Sequence, residues 1–219
     1  MKKGLLFLIV LVSTLSSCSL IFKKVVGIRD AKVESTASIN EFLEDVNSQH
    51  KYSYLIDIPK DSTEVYDNLL KTMEYNGGFF VDGTGNKYCY TGIEKCKGIQ
   101  ISKSFNDFEK NYEVCDSFNF DSFAEKLIPL NPAVSITELN TKYYYIVYWA
   151  KYYGKHFEED FKWFERLAKT SDQDISVILV NTDLQEDWGL KQGSSMDMSF
   201  KISGKKSGEF ELGDIPYAN

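Results

Sequence analysis

The chain has 219 residues, 43% of them apolar, 26% charged and 15% aromatic, a composition that excludes the disordered and collagen-like classes. Its length suffices for one domain, or two small ones, with a substantial core. The formal charge of −7 excludes nucleic acid as a default partner, because phosphate binding needs a basic footprint.

In chain order, the N-terminus speaks first. Lys2 and Lys3 precede an apolar run from Gly4 to Val12, and small, mostly polar residues follow from Ser13 to Ser17. That is the layout of a signal peptide, too short and wrongly flanked for a spanning helix. Leu15-Ser16-Ser17-Cys18 resembles the lipobox of bacterial lipoproteins. Small side chains admit a peptidase, the Cys18 thiol can take a diacylglycerol, and cleavage before Cys18 frees an amine for a further acyl chain such as palmitate. Two or three chains, at about 0.8 kcal/mol per buried CH₂, hold a protein on a bilayer where one is marginal. The resemblance implies a signal peptide at 1–17 and a lipidated tether at 18–37. It places the protein in a bacterial cell envelope, with the outer membrane, periplasmic or surface side, as the expected site. Disulfides are permitted there. No later stretch is long and apolar enough for a second membrane segment.

Ser38, with Glu41 three residues on, predicts a capped helix through Phe42, Leu43 and Val46. Tyr52 to Ile58 reads as a strand ended by Pro59, and Ser62 to Tyr75 as a helix with Val65, Leu69, Leu70 and Met73 on one face. Gly77-Gly78 breaks the chain. Phe79–Val81 and Lys87–Tyr90 then read as a hairpin about the turn Asp82-Gly83-Thr84-Gly85-Asn86, whose glycines serve turn geometry. They lack the third glycine and following helix of a dinucleotide site. Ile99 to Ser102 reads as a short strand. Ser122 to Ile128 reads as a short helix stopped by Pro129 and Pro132.

Tyr143 to Ala150 is continuously apolar or aromatic, as a strand buried on both faces is. Phe157, Phe161, Phe164 and Leu167 recur at helical spacing behind Glu158, Glu159 and Asp160, which suit the positive end of a helix dipole and a solvated first turn. Ile175 to Val180 is a second buried strand. Strand, helix and strand in that space predict a βαβ unit with parallel strands. Met196–Ile202 and Glu209–Leu212 flank Ser203-Gly204-Lys205-Lys206 and predict a terminal hairpin.

At this unit the chain resembles the thioredoxin fold of envelope-anchored thiol-disulfide proteins. The family's Trp-Ala-x-Trp-Cys-Gly-Pro-Cys falls on Trp149-Ala150-Lys151-Tyr152-Tyr153-Gly154-Lys155-His156, and the second core strand ends in Val180-Asn181-Thr182-Asp183. The remainder is similar to bacterial lipoproteins with this core, through Phe80-Val81-Asp82, Gly85-Asn86 and Trp149-Ala150-Lys151. The implied fold class is α/β: a thioredoxin-like mixed sheet flanked by helices at 140–219, with an N-terminal α/β extension at 38–139. The departures are chemical. Tyr153 stands at the nucleophilic cysteine, His156 at the resolving one and Lys155 at the intervening proline, while Gly193-Ser194-Ser195 stands where the family places a cis-proline. A phenol with pKa near 10 performs no sulfur exchange. Carrying over the redox activity is therefore not warranted, and no catalytic residue is assigned.

Cys89, Cys96 and Cys115 remain in the body, an odd number, so at least one is free or paired elsewhere. Cys89 and Cys96 could close a small loop, against the alternative of buried free thiols. His50 and His156 are the two histidines, and no metal-ligand pattern, nucleophile elbow or phosphate loop is present, so no cofactor or metal is expected. Most of the aromatic run 143–153 fits strand faces. Its C-terminal end, where open α/β sheets bind ligands, offers Trp149, Tyr152, Tyr153, Lys155 and His156 as a recognition edge. The expectation is a membrane-held module that binds an unknown envelope protein or ligand. The rival is an atypical oxidoreductase using Cys89 and Cys96.

Overall fold

The computed structural model describes residues 29–46, 52–58, 66, 78–130, 134–153, 156–171, 173–202 and 208–217, with 97, 156–158, 199–202 and 208–212 as backbone alone. The signal peptide, Cys18, the tether to residue 28, Lys155 and the turn at 203–206 lie outside these residues. So does the helix read at 62–75, apart from Tyr66, which is helical.

The predicted βαβ unit is present. β7 (Tyr143–Trp149), α4 (His156–Thr170) and β8 (Ile175–Asn181) follow one another, and β7 pairs with β8 in parallel from Tyr143↔Ile175 to Trp149↔Asn181. Alternation explains why β7 is apolar at every position. Tyr144 and Ile146 pack on one face with Val81, Ile178 and Val180. Tyr145, Val147 and Trp149 pack on the other with Phe80, Leu179 and Phe161.

On the far side of β7, the hairpin of β3 (Phe79–Asp82) and β4 (Asn86–Tyr90) joins it antiparallel, with Phe80 opposite Tyr145. β5 (Tyr112–Ser117) continues that side. β2 (Ser53–Ile56) lies parallel to β8, and β6 (Leu127–Pro129) closes the other side. The fold is thus α/β, a seven-stranded mixed sheet in the order β5-β4-β3-β7-β8-β2-β6, flanked by helices and consistent with a thioredoxin-like class. Strands from both sides of residue 140 share this one sheet. The antiparallel hairpin beside β7 precedes the βαβ unit. The predicted terminal hairpin, β11 (Met198–Ile202) with β12 (Gly208–Leu212), forms a separate two-stranded sheet.

Several local readings change. Ala31 to Glu34, read as tether, is strand β1. It lies between β10 (Ser195–Met196) and β9 (Leu184–Gln185), with Ala31 and Val33 buried. Helix α1 (Thr36–Asp45) starts earlier than Ser38, because the Ser35 side chain caps it by accepting from the Ser38 N–H at 3.2 Å. The segment read as a strand at Ile99–Ser102 is part of helix α2 (Lys97–Asn111). Ile101, Phe105 and Phe108 recur at helical spacing and bury against Phe80 and Tyr112, and that stripe outweighs the short Ile99/Ile101 alternation. The helix read at Ser122–Ile128 is α3 (Phe120–Ala124), capped by Asn119, after which Leu127 and Ile128 enter β6.

Candidate functional site

The C-terminal ends of β7 and β8 are where a parallel pair presents its chemistry. Trp149 ends β7 fully buried, stacked on Phe42 at 5.6 Å and edge-on to Phe161 at 5.2 Å. Its carbonyl accepts from the Thr182 N–H at 2.8 Å and the Thr182 hydroxyl at 3.1 Å, which locks the two strand ends together. A single turn, Lys151–Tyr153, follows. Tyr152 is buried, with its ring 4.7 Å from that of the half-buried Tyr153, and burial pushes its phenol well above the ordinary value. Trp149 and Tyr152 therefore belong to the core, and of the proposed recognition edge only Tyr153 is both described and partly open. His156 is the first residue of α4; its side chain lies outside the described residues, as does Lys155.

Asp183 sits beneath this turn, 1% exposed. Its carboxylate accepts from the Lys151 N–H at 3.0 and 2.9 Å and from the Asn181 side-chain amide at 2.7 Å, while its own N–H donates to Asn181 Oδ1 at 3.1 Å. Burial pushes its pKa up to about 7, against the pull of the Lys151 N–H and the Asn181 amide, with Glu34 adding to the rise. The sequence marks Asp183 only as an acidic strand end, and burial, the property that matters, has no local signature.

The Lys151 side chain reaches the other way. Its ammonium donates to Glu34 Oε2 at 2.7 Å and Ser38 Oγ at 2.6 Å, and the Ser38 hydroxyl donates to Glu34 at 2.5 Å. Arg29 N–H donates to the Tyr152 carbonyl at 2.9 Å. One turn thus joins the N-terminal segment to the sheet centre. Nearby, Tyr66 donates its hydroxyl to the Thr182 carbonyl at 3.2 Å and packs edge-on against Trp188.

The sulfur chemistry lies elsewhere and corrects an expectation. Cys89 pairs with Cys115, not Cys96, across 5.7 Å between Cα atoms. The antiparallel ladder sets Cys89 opposite Glu113, and an irregularity at Lys87/Tyr88 brings Cys115 alongside. Cys96 is carried away to the N-cap of α2, where it is free and exposed. Tyr88 and Tyr90 face α2, so Cys89 between them faces away from it.

The glycine-rich turn is structural. The Asp82 carboxylate accepts from the Thr84 N–H and hydroxyl, the Asn86 N–H and side-chain amide, and the Tyr88 hydroxyl, all at 2.7–3.0 Å. Burial raises its pKa, but the Asn86, Thr84 and Tyr88 donors outweigh that and lower it to about 2. Gly85 takes φ 87°, and a Cβ there would lie 2.5 Å from the Phe118 carbonyl oxygen.

Among the described residues no helix is long and apolar enough to cross a membrane, and no group of three or more His, Cys, Asp or Glu side chains is placed to hold a metal ion. Comparison with known proteins assigns no family: no family model, no curated protein and no solved structure matches the chain.

Proposed function

We propose that the protein is a lipid-anchored component of a bacterial envelope whose thioredoxin-like body has lost the family's sulfur exchange and works as a binding or scaffolding module. Cys18 is the acylated residue on this reading. The observation that carries it is the replacement of both cysteines of the resembled motif by Tyr153 and His156, at the end of a strand whose neighbouring side chains, Trp149 and Tyr152, are sealed in the core. The remaining half-open Tyr153 and the start of α4 form the contact edge. The rival reading needs a Cys89–Cys96 couple, and Cys89 is instead bonded to Cys115 across two strands.

Thiol counting with and without reductant, together with an insulin-reduction assay, tests the choice. The expected result is one reactive body thiol, Cys96, and no insulin reduction. Turnover that disappears in Cys89→Ser replaces the scaffold reading with the oxidoreductase one. Capture from envelope extract should fall on combined Tyr153→Ala and His156→Ala substitution with the fold intact; unchanged capture removes that edge from the reading.

A further inference from the structure

Where the tether leaves the body, and what else is exposed at that end, point to a second membrane contact. The register fixes the geometry. β3 runs antiparallel to β7, with Phe79 opposite Ile146 and Phe80 opposite Tyr145, and β4 returns beside it with Tyr88 opposite Phe80. β4 therefore finishes at Tyr90 at the end of the sheet where β7 finishes at Trp149. The Arg29 N–H is bonded to the Tyr152 carbonyl at that same end. Only β3 separates β4 from β7, so the strand ends Tyr90 and Trp149 are roughly 10 Å apart across the sheet, with β1 against one face and α2 against the other.

The segment leaving β4, from Thr91 to Ile99, breaks the usual surface rule. Ile93 is 93% exposed and Ile99 49%. They are two of the four large apolar side chains exposed among the described residues, and they lie six positions apart. Glu94, the one acid between them, is taken up by Lys103 and the Tyr90 hydroxyl. Lys95 is exposed, and Lys97 follows in sequence. The segment itself thus sets exposed isoleucines beside lysines, while the acids at this end, Glu158, Glu159 and Asp160, belong to the first turn of the neighbouring α4. The tether carries Lys23 and Lys24. The chain from Cys18 to Arg29, fully extended, reaches at most about 40 Å, which keeps this end of the body near any bilayer that holds Cys18.

We propose that the segment Thr91–Ile99 is a membrane-contact surface, in which Ile93 and Ile99 enter the interfacial layer of an anionic bilayer while the lysines of the same segment meet its phosphates. Isoleucine insertion supplies the apolar part of the attraction, and lysines near an anionic surface supply the salt-sensitive part. The inference rests on the lipid-anchored reading for its setting, but the contact itself is carried by side chains and needs no acyl chain.

That independence sets the test. The chain from residue 18 onward, with Cys18→Ser and hence unacylated, retains every described element. Cys96, free and exposed between the two isoleucines, takes an environment-sensitive fluorophore. Vesicles of phosphatidylethanolamine with phosphatidylglycerol, and of phosphatidylcholine alone, are the probes. Co-sedimentation with the anionic vesicles and a blue-shifted emission are expected. Ile93→Asp should weaken binding at least about tenfold. Lys95→Glu should weaken it a few-fold and flatten its salt dependence. Ile93 is almost wholly exposed, so its substitution leaves the near-UV spectrum unchanged. Equal binding by the parent and Ile93→Asp, equal binding to both vesicle types, or an unshifted fluorophore overturns the proposal. Failure of the anchoring reading shows separately, as a Cys18 without acyl groups in the mass spectrum of the native chain.

Discussion

The centre of the sheet and its β4–β5 edge are stabilised by different means. β7 and β8 are covered on both faces, and their ends are locked by the Thr182 bonds to the Trp149 carbonyl and by buried Asp183. β5 buries Tyr112 and exposes every other residue, and a covalent bond ties it to its neighbour. Burial stabilises where a strand has two partners and two covering layers. A crosslink serves where it has one partner and little cover.

This contrast is broken most strongly at the centre. Phe80 stacks on Tyr145 at 4.4 Å and meets Phe105, Phe108 and Tyr112 edge-on. Phe80→Ala is expected to cost about 3–5 kcal/mol in urea unfolding. At the edge, Cys89→Ser with Cys115→Ser opens a loop of 26 residues in sequence separation and is expected to cost about 3 kcal/mol. Adding reductant to the parent should reproduce most of that loss, and reductant should leave the double variant unchanged.

A pH series sharpens the comparison further. Asp183 has a folded pKa of about 7 against an ordinary 3.8, so the folded state binds more protons between those values. Its contribution to stability is complete below about pH 4 and is lost as pH rises through 7. The unfolding free energy of the parent, relative to Asp183→Asn, should fall by about 3 kcal/mol between about pH 4.5 and 8.5. A parent and variant with parallel pH profiles would remove Asp183 from the account. The smallest effect belongs to the largely buried Lys151–Glu34 pair, where Lys151→Met leaves the Glu34 carboxylate without its ammonium and should cost about 2 kcal/mol.

What the sequence disclosed follows the same division. The unit 143–181 and the hairpin 79–90 were legible because burial on both faces and tight-turn chemistry leave local patterns. α2 was misread at Ile99–Ser102 because four residues fit two periods, and only the longer stripe through Phe108 decides. The Cys89–Cys115 bond was hidden because it depends on which strand pairs with β4 and on an irregular register, both non-local. At the site, Tyr152 and Tyr153 were correctly placed at the end of β7. The burial of Tyr152 comes from β1 and Tyr66 packing over that end, which no nearby residue announces.

β1 gives the body a mechanical property. Inserted between β9 and β10, with Arg29 bonded to the Tyr152 carbonyl just before it, this short strand is where any traction on the N-terminal tether enters the body. On the lipid-anchored reading proposed above, a pull from the bilayer would load a three-stranded clip with few rungs, separate from the seven-stranded sheet. On that reading the clip is a mechanical fuse: residues 29–34, held by a sheet of their own, would peel away before the seven-stranded sheet is loaded.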